Sequence, residues 1–143
     1  MAIYSSIGSS INTEDARAAG KEAVSSAVQE LGKEPHIIFA FASVKYDQEE
    51  LVRGMNEARE GATLVGCSAA GEITSSATTF ESVIAMAIHA PDIKFYAGYG
   101  EGAGQDDNQA GAGAAKAVLD AAGGKIDLFV IMSRVLEILL YFT

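Results

Sequence analysis

The segment 63–73, with the sequence TLVGCSAAGEI, gathers the residue types of this chain that could bind a small molecule. An apolar run stops there, and the small and polar residues that follow are Gly66, Cys67, Ser68, Gly71 and Glu72. Glycines let a ligand approach the backbone, while a serine hydroxyl and a carboxylate can hold an ammonium or hydroxyl group. Small molecules bind where strands end in open α/β sheets. The segment predicts a site for a polar or zwitterionic ligand, unless the glycines only turn the chain and Ser68 only caps local backbone.

Cys67 is the only cysteine and raises the alternative of a cysteine-dependent enzyme. A nucleophilic cysteine needs a base, and the two histidines of the chain, His36 and His89, begin and end apolar runs. A lone cysteine is more commonly a packing residue. One cysteine and two distant histidines also lack the spacing of a zinc site. The sequence therefore favours a protein that is not an enzyme and predicts no metal or other cofactor.

The segment 98–103, GYGEGA, matches a G-x-G-x-x-A dinucleotide fingerprint. The strand before it reads as a hairpin partner, whereas the fingerprint requires a parallel unit. Asp106 and Asp107 at the start of the next helix would also repel a pyrophosphate. A loop is the favoured interpretation.

The composition excludes several classes of partner. The chain of 143 residues is long enough for one domain with a core, and its 49% hydrophobic content argues against disorder. The net charge is -9 and the basic residues are scattered, which argues against nucleic acid. The N-terminus does not resemble a signal peptide, and three charges among the last 18 residues argue against a membrane span. One cysteine fits a reducing compartment, so a cytoplasmic location is expected.

Three helices follow from the spacing of apolar residues and from their capping residues. The first is predicted over 14–31 with Thr13 as N-cap and Gly32 at its end. The second runs over 47–60 and begins with an Asp47–Glu50 capping box. The third, rich in alanine, runs over 106–122, with Asp106 as its cap and Gly123 at its end.

Five strands are predicted around these helices. The run 36–42 is apolar throughout, as in a central strand. A short strand covers 62–65, and the runs 82–90 and 93–97 predict an antiparallel hairpin through Pro91-Asp92. The last strand covers 126–132. This order predicts one domain of the α/β class, a layered fold with a mixed β-sheet and helices packed on it.

Three segments of the chain together resemble the N-terminal half of the FIST domain. They are the motif VGCSAAGEI, the strand IIFAFAS before it and the acidic helix DQEELVRGMNEAREGA. The likeness covers about residues 14–132, although Ala69 stands where the family pattern usually has threonine. The tail 133–143 does not look like the continuation of the family. The resemblance implies a sensory module that binds a small ligand, with amino acids or their derivatives as candidates, and passes the signal to an output domain or protein.

The expected ligand site consists of the strand-end residues already named and of Ser43, which follows the neighbouring strand. A third alternative is a structural domain that dimerises through its apolar C-terminal region. Homo-oligomers are therefore also expected partners, whereas nucleic acid and membrane are not.

Overall fold

The computed structural model describes residues 2–73 and 78–132. The elements along these residues are β1 (Tyr4–Ser10), α1 (Ala16–Leu31), β2 (Ile37–Ser43), α2 (Gln48–Ala58), β3 (Thr63–Ala69), β4 (Glu72–Ile73), β5 (Thr78–Thr79), β6 (Val83–His89) and α3 (Asp107–Ala122).

Four of the described strands form one mixed sheet in the order β1–β6–β2–β3. β3 is parallel to β2, whereas β6 is antiparallel to both of its neighbours, β1 and β2. β1, β2 and β3 therefore end on the same side, where β6 begins, and we call this side the carboxyl end of the sheet. β4 and β5 pair separately, directly after β3. The predicted α/β class, with a mixed sheet and helices packed on it, is confirmed.

α1 and α2 pack on each other and join one face of the sheet in a single buried cluster. Alternate sheet residues such as Ile38, Leu64 and Val83 belong to this cluster, as side-chain alternation along strands requires. On the opposite face, Phe39 and Phe41 are only half-buried, although Ile37 and Ile84 are buried. The core therefore lies between one sheet face and two helices.

Glycines allow the two helices to touch through their backbones. A Cβ on Gly20 of α1 would lie 2.2 Å from the carbonyl oxygen of Leu51, and a Cβ on Gly54 of α2 would lie 1.9 Å from that of Arg17. Both distances are far below van der Waals contact. The helix pair can therefore approach this closely only with glycine at both positions.

The predicted hairpin is wrong. β6 is confirmed, but residues 93–97 form no strand. Both edges of β6 are already occupied, by β1 and by β2, so no edge remains for a partner from 93–97. β1 itself was not predicted, because YSSIGSS reads as polar. Its inward residues are small for a packing reason: a Cβ on Gly8 would lie 2.1 Å from the carbonyl oxygen of Ala23 in α1.

Two further strand predictions differ from the structure. β3 does not end at Val65 but continues to Ala69, because its small residues pair in register with β2 up to Ser43. Residues 126–132 form no strand, and the side chains of Leu128 and Ile131 are 79% and 84% exposed. The fourth place in the sheet is taken by β1 instead. The predicted tail 133–143 lies outside the described residues.

The helix predictions are confirmed to within a few residues at their ends. Asp47 and Asp106 are N-caps whose carboxylates accept from the amides of Glu50 and Gln109. The N-cap of α1 is Asp15, which accepts from Ala18 N, and not Thr13. None of the helices within the described ranges is long and apolar enough to cross a bilayer.

Candidate ligand site

The predicted site residues of β3 lie inside a paired strand. Gly66, Cys67 and Ser68 stand opposite Ala40, Phe41 and Ala42 of β2. A Cβ on Gly66 would lie 2.0 Å from the carbonyl oxygen of Ala40, so the close approach at this glycine is to the neighbouring strand. The bend predicted at Gly66 comes after Ala69 instead. β3 is nevertheless an edge strand, and its end leads directly to Gly71 and Glu72.

Glu72 is a buried carboxylate with one unpartnered oxygen. Its side chain is at the first residue of β4, and the residue is only 3% exposed. Oε2 accepts a hydrogen bond of 2.6 Å from the Ser82 hydroxyl, which lies 2.7 Å from the hydroxyl of Thr79. Within the described residues, Oε1 has no hydrogen-bond partner. Buried polar atoms are normally paired, so this oxygen is a candidate contact for a ligand.

Ser43, predicted because it follows the apolar run 36–42, is the last residue of β2 and is joined to Glu72 through Ser82. The amide of Ser43 donates to the carbonyl oxygen of Ser82 at 3.0 Å, and the hydroxyl of Ser82 donates to Glu72. Ser82 was not predicted as a site residue. It precedes β6, and only the antiparallel pairing of β6 with β2 brings it to the carboxyl end of the sheet.

The loop from Ser43 to α2 completes this part of the molecule. Gln48 Nε2 donates to the carbonyl oxygens of Ser43 and Tyr46 at 3.0 and 2.9 Å. Gln48 Oε1 is buried and has no partner among the described residues. We call the cluster formed by Ser43, Gln48, Glu72, Thr79 and Ser82 the Glu72 cluster.

Tyr46 shows that this region is poorly hydrated and negative. Its hydroxyl donates to the carbonyl oxygen of Glu81 at 2.9 Å, and the residue is 7% exposed. Burial raises the pKa of Tyr46, and the carboxylates of Glu72, Glu81 and Glu22 raise it further. Lys45 is ion-paired with Glu81 at the surface.

Gly71 lies between β3 and the Glu72 cluster. A Cβ at this position would lie 3.2 Å from the ring of Phe80, which is itself 73% exposed. The missing side chain therefore lets an aromatic ring cover the bend. Two open grooves lie elsewhere: one of about 660 Å³ between the ends of α1 and α2, and one of about 320 Å³ beside His36 and Phe95.

The comparison with protein families decides the classification. The sequence model of the FIST N domain matches residues 36–142. This chain belongs to the FIST N domain family. The match begins just before β2 and includes the whole predicted site, from Ser43 to Glu72. No protein with a curated description matches the sequence.

The FIST N domain is a sensory domain of signal transduction, and the suspected family is thereby confirmed. β1 and α1 precede the matched residues, yet both belong to the same folded body. β1 pairs with β6 along its whole length, and α1 contributes to the buried cluster. The sheet of this FIST N domain is therefore completed from the chain before the match.

The histidines of this FIST N domain lie far from Cys67. Cys67 stands opposite Phe41, whereas His36 precedes β2, five residues earlier and thus about 16 Å away along the strand. His89 stacks against His36 at 4.7 Å between ring centroids, at that same distant end. Burial raises the pKa of the Cys67 thiol, which keeps it in the less nucleophilic form. The described residues contain no cluster of three or more candidate metal ligands.

Proposed function

We propose that this FIST N domain senses a small polar ligand at the carboxyl end of the sheet, with Glu72 as its anchor. The supporting observation is Glu72 Oε1, an acceptor that is buried without a partner among the described residues. The proposed site takes in the predicted residues Ser43, Gly66, Cys67, Ser68, Gly71 and Glu72 together with Thr79 and Ser82. Amino acids and their derivatives remain the first ligands to screen.

The energetics of Glu72 support a ligand at this place. An unpaired buried polar group costs about 1–3 kcal/mol, and more when the group is charged. A ligand that donates to Oε1 removes that cost. Binding therefore adds a stabilising contact to Glu72 that the free protein does not have.

The connections of the Glu72 cluster suggest how binding is transmitted. Ser82 holds both the Glu72 carboxylate and the amide of Ser43, and Gln48 ties the loop after β2 to the start of α2. A ligand that prefers one arrangement of Glu72 shifts the population of this linked set. The signal would reach an output domain or protein through α2 and the loops, without any bond-making step.

A ligand screen tests the proposal. In thermal-shift measurements on amino acids and small polar metabolites, a true ligand at about 100 times its Kd should stabilise the protein by about 2.7 kcal/mol. Glu72→Gln should remove that stabilisation. Glu30→Gln, at an exposed position on α1, changes the charge equally and should retain it. If every ligand found stabilises Glu72→Gln as much as the wild type, Glu72 is not the anchor.

The exposed apolar run 128–131 supports a second proposal, that copies of this chain associate. Large apolar surfaces commonly mark interaction sites. Light scattering should show a dimer or larger species for the wild type and a smaller species for the double variant Leu128→Lys, Ile131→Lys. Equal masses would refute this surface as the interface. A cytoplasmic location, supported by the single cysteine and acidic composition, completes the proposal.

A further inference from the structure

We infer that the ligand presents a protonated primary amine to Glu72. This inference rests on the proposed ligand site and specifies the chemistry of its occupant. Three observations carry it: the direction of the hydroxyl hydrogen bonds, the type of the unpartnered atoms and the sign of the surrounding charges.

The hydroxyl protons of the cluster are already in use. Ser82 has one hydroxyl proton, and it goes to Glu72 Oε2. The hydroxyl of Thr79 can then donate its one proton to Ser82 Oγ at 2.7 Å or to the carbonyl oxygen of Glu72 at 3.5 Å. Both hydroxyl groups thus give their protons in the direction of Glu72. Within residues 2–73 and 78–132, Oε1 is left as an acceptor without a donor.

The unpartnered atom of Gln48 is of the same type. Its orientation is fixed, because exchanging the amide oxygen and nitrogen would place an oxygen against the carbonyl oxygens of Ser43 and Tyr46. The acceptor Gln48 Oε1 is therefore directed elsewhere and has no partner in the described parts of the chain. All buried unpartnered side-chain atoms of the described residues are acceptors, the third being Asn56 Oδ1, about 12 Å further along α2. The ligand must consequently supply protons.

The surrounding charge favours a cationic donor over a neutral one. Glu72, Glu81 and Glu22 all act on Tyr46 and raise its pKa after the larger effect of burial. The nearby cation Lys45 is paired with Glu81 and is largely exposed. An ammonium group carries three donors and a positive charge, and charge-assisted hydrogen bonds are the stronger class. It can pair with Glu72 Oε1 and offer its other protons to neighbouring acceptors.

Three probes of equal size test the charge of the occupant. Propylammonium, 1-propanol and propionate are titrated at matched ionic strength, and the amide signals of Ser43, Gly71 and Ser82 are followed by NMR. Propylammonium should shift these signals and bind at least about tenfold more tightly than the other two probes. If propanol or propionate shifts them and propylammonium does not, the inferred charge is wrong while the site remains. If no probe shifts them, the inference and the proposed site both fall.

Substitutions of two neighbouring carboxylates then test whether Glu72 is the group that binds the amine. Glu72→Gln should weaken propylammonium binding by about tenfold or more. Glu81→Gln removes the same charge from a neighbouring, more exposed carboxylate and should weaken it much less. Equal losses of affinity in the two variants would mean that both carboxylates act only through long-range electrostatic attraction, which would overturn the direct contact with Glu72. Undiminished binding by Glu72→Gln would mean that the negative charge of Glu72 does not hold the amine, which also overturns the inference.

A further variant covers the case in which Glu72→Gln fails to fold. Gln48→Met removes the second unpartnered acceptor and leaves the carboxylate intact. If the amine contacts Gln48 Oε1 as well as Glu72 Oε1, this variant should reduce propylammonium binding a few-fold. Unchanged binding would contradict a site built from both acceptors.

Discussion

α1 and α3 are alike as sequences but not in their surroundings. Each has 16 residues, an aspartate N-cap and a glycine C-cap in the left-handed conformation, and both are rich in alanine. α1 buries one side against the sheet and α2, whereas the buried residue of α3 is Ala110. Within the described residues, Ala110 is also the one buried apolar side chain after Ala90. Composition and capping determine that both helices form, but only a second layer determines what is buried.

The difference also locates the stability of the molecule. The layered part, residues 4–89, contains the whole buried cluster, whereas α3 contributes no residue to it. A Cβ on Gly100 would lie 1.7 Å from the carbonyl oxygen of Ala110, so this loop follows the helix closely. The segment with the apparent dinucleotide motif therefore serves as packing for α3. Matched substitutions in the two parts should have very different effects.

The largest difference in stability is expected between two leucine-to-alanine substitutions. Leu51 of α2 is fully buried, and Leu51→Ala should lower the free energy of unfolding by about 2–5 kcal/mol, because it leaves a cavity. Leu128→Ala, at a side chain 79% exposed, should change it by less than about 0.5 kcal/mol. Urea unfolding followed by circular dichroism measures both. Similar losses would mean that the C-terminal part is packed as tightly as the layers.

Glycine-to-alanine substitutions should change the free energy of unfolding in opposite directions in the two parts. Gly54→Ala places a methyl group against the backbone of α1 and should destabilise the protein by about 1–3 kcal/mol or more. At Gly111 of α3 the new methyl group meets nothing within 4 Å. Gly111→Ala should therefore raise the stability of that helix by about 0.5–1 kcal/mol. Hydrogen exchange of the α1 and α3 amides distinguishes the two effects, and stabilisation by Gly54→Ala would refute the close helix contact.

Removing the two N-caps should distinguish a loss of global stability from a loss of local stability. Asp15→Ala removes the cap of α1 and should cost about 1 kcal/mol of global unfolding free energy. Asp106→Ala removes the same type of cap from α3. Exchange of the α3 amides should accelerate while global unfolding stays unchanged. An equal fall in global stability would show that α3 unfolds together with the layers.

The smallest contrast concerns tyrosine and alkaline pH. Because the folded-state pKa of Tyr46 is raised above its ordinary value of 10.0, its contribution to stability is complete below that pH and is lost as pH rises through the raised value. Tyr46→Phe should cost about 1 kcal/mol at neutral pH, through the lost bond to Glu81, and should flatten the alkaline loss. Tyr96→Phe, in the exposed part, should keep the wild-type loss since Tyr46 is intact. Parallel alkaline curves for wild type and Tyr46→Phe would contradict the assignment to Tyr46.

Sequence reasoning predicted the helices and the central strands because their signals are local. Asp47 and Asp106 were identified as caps, and the apolar runs of β2 and β6 were long enough to indicate strands. The errors concern partners. The run 93–97 has the sequence of a strand, but both edges of β6 are already paired with other strands. The polar segment YSSIGSS forms a strand, and its inward residues are small because α1 packs closely against them.

Only some residues of the candidate site could be predicted from the sequence. Glu72 and Ser43 follow from their places after strands, and the structure joins them. Ser82 lies beside them only because β6 runs antiparallel to β2. Thr79 and Gln48 belong to the cluster through hydrogen bonds that no spacing in the sequence reveals.

From its sequence alone, this protein was determined to be an α/β domain with capped helices, buried central strands and a FIST-like motif, since capping, hydrophobic periodicity and motif spacing act over a few residues. The tertiary structure alone decided the strand order, the glycine contact between α1 and α2, and the burial of Glu72. Those features depend on segments far apart in the chain, whose contacts arise only when the layers pack.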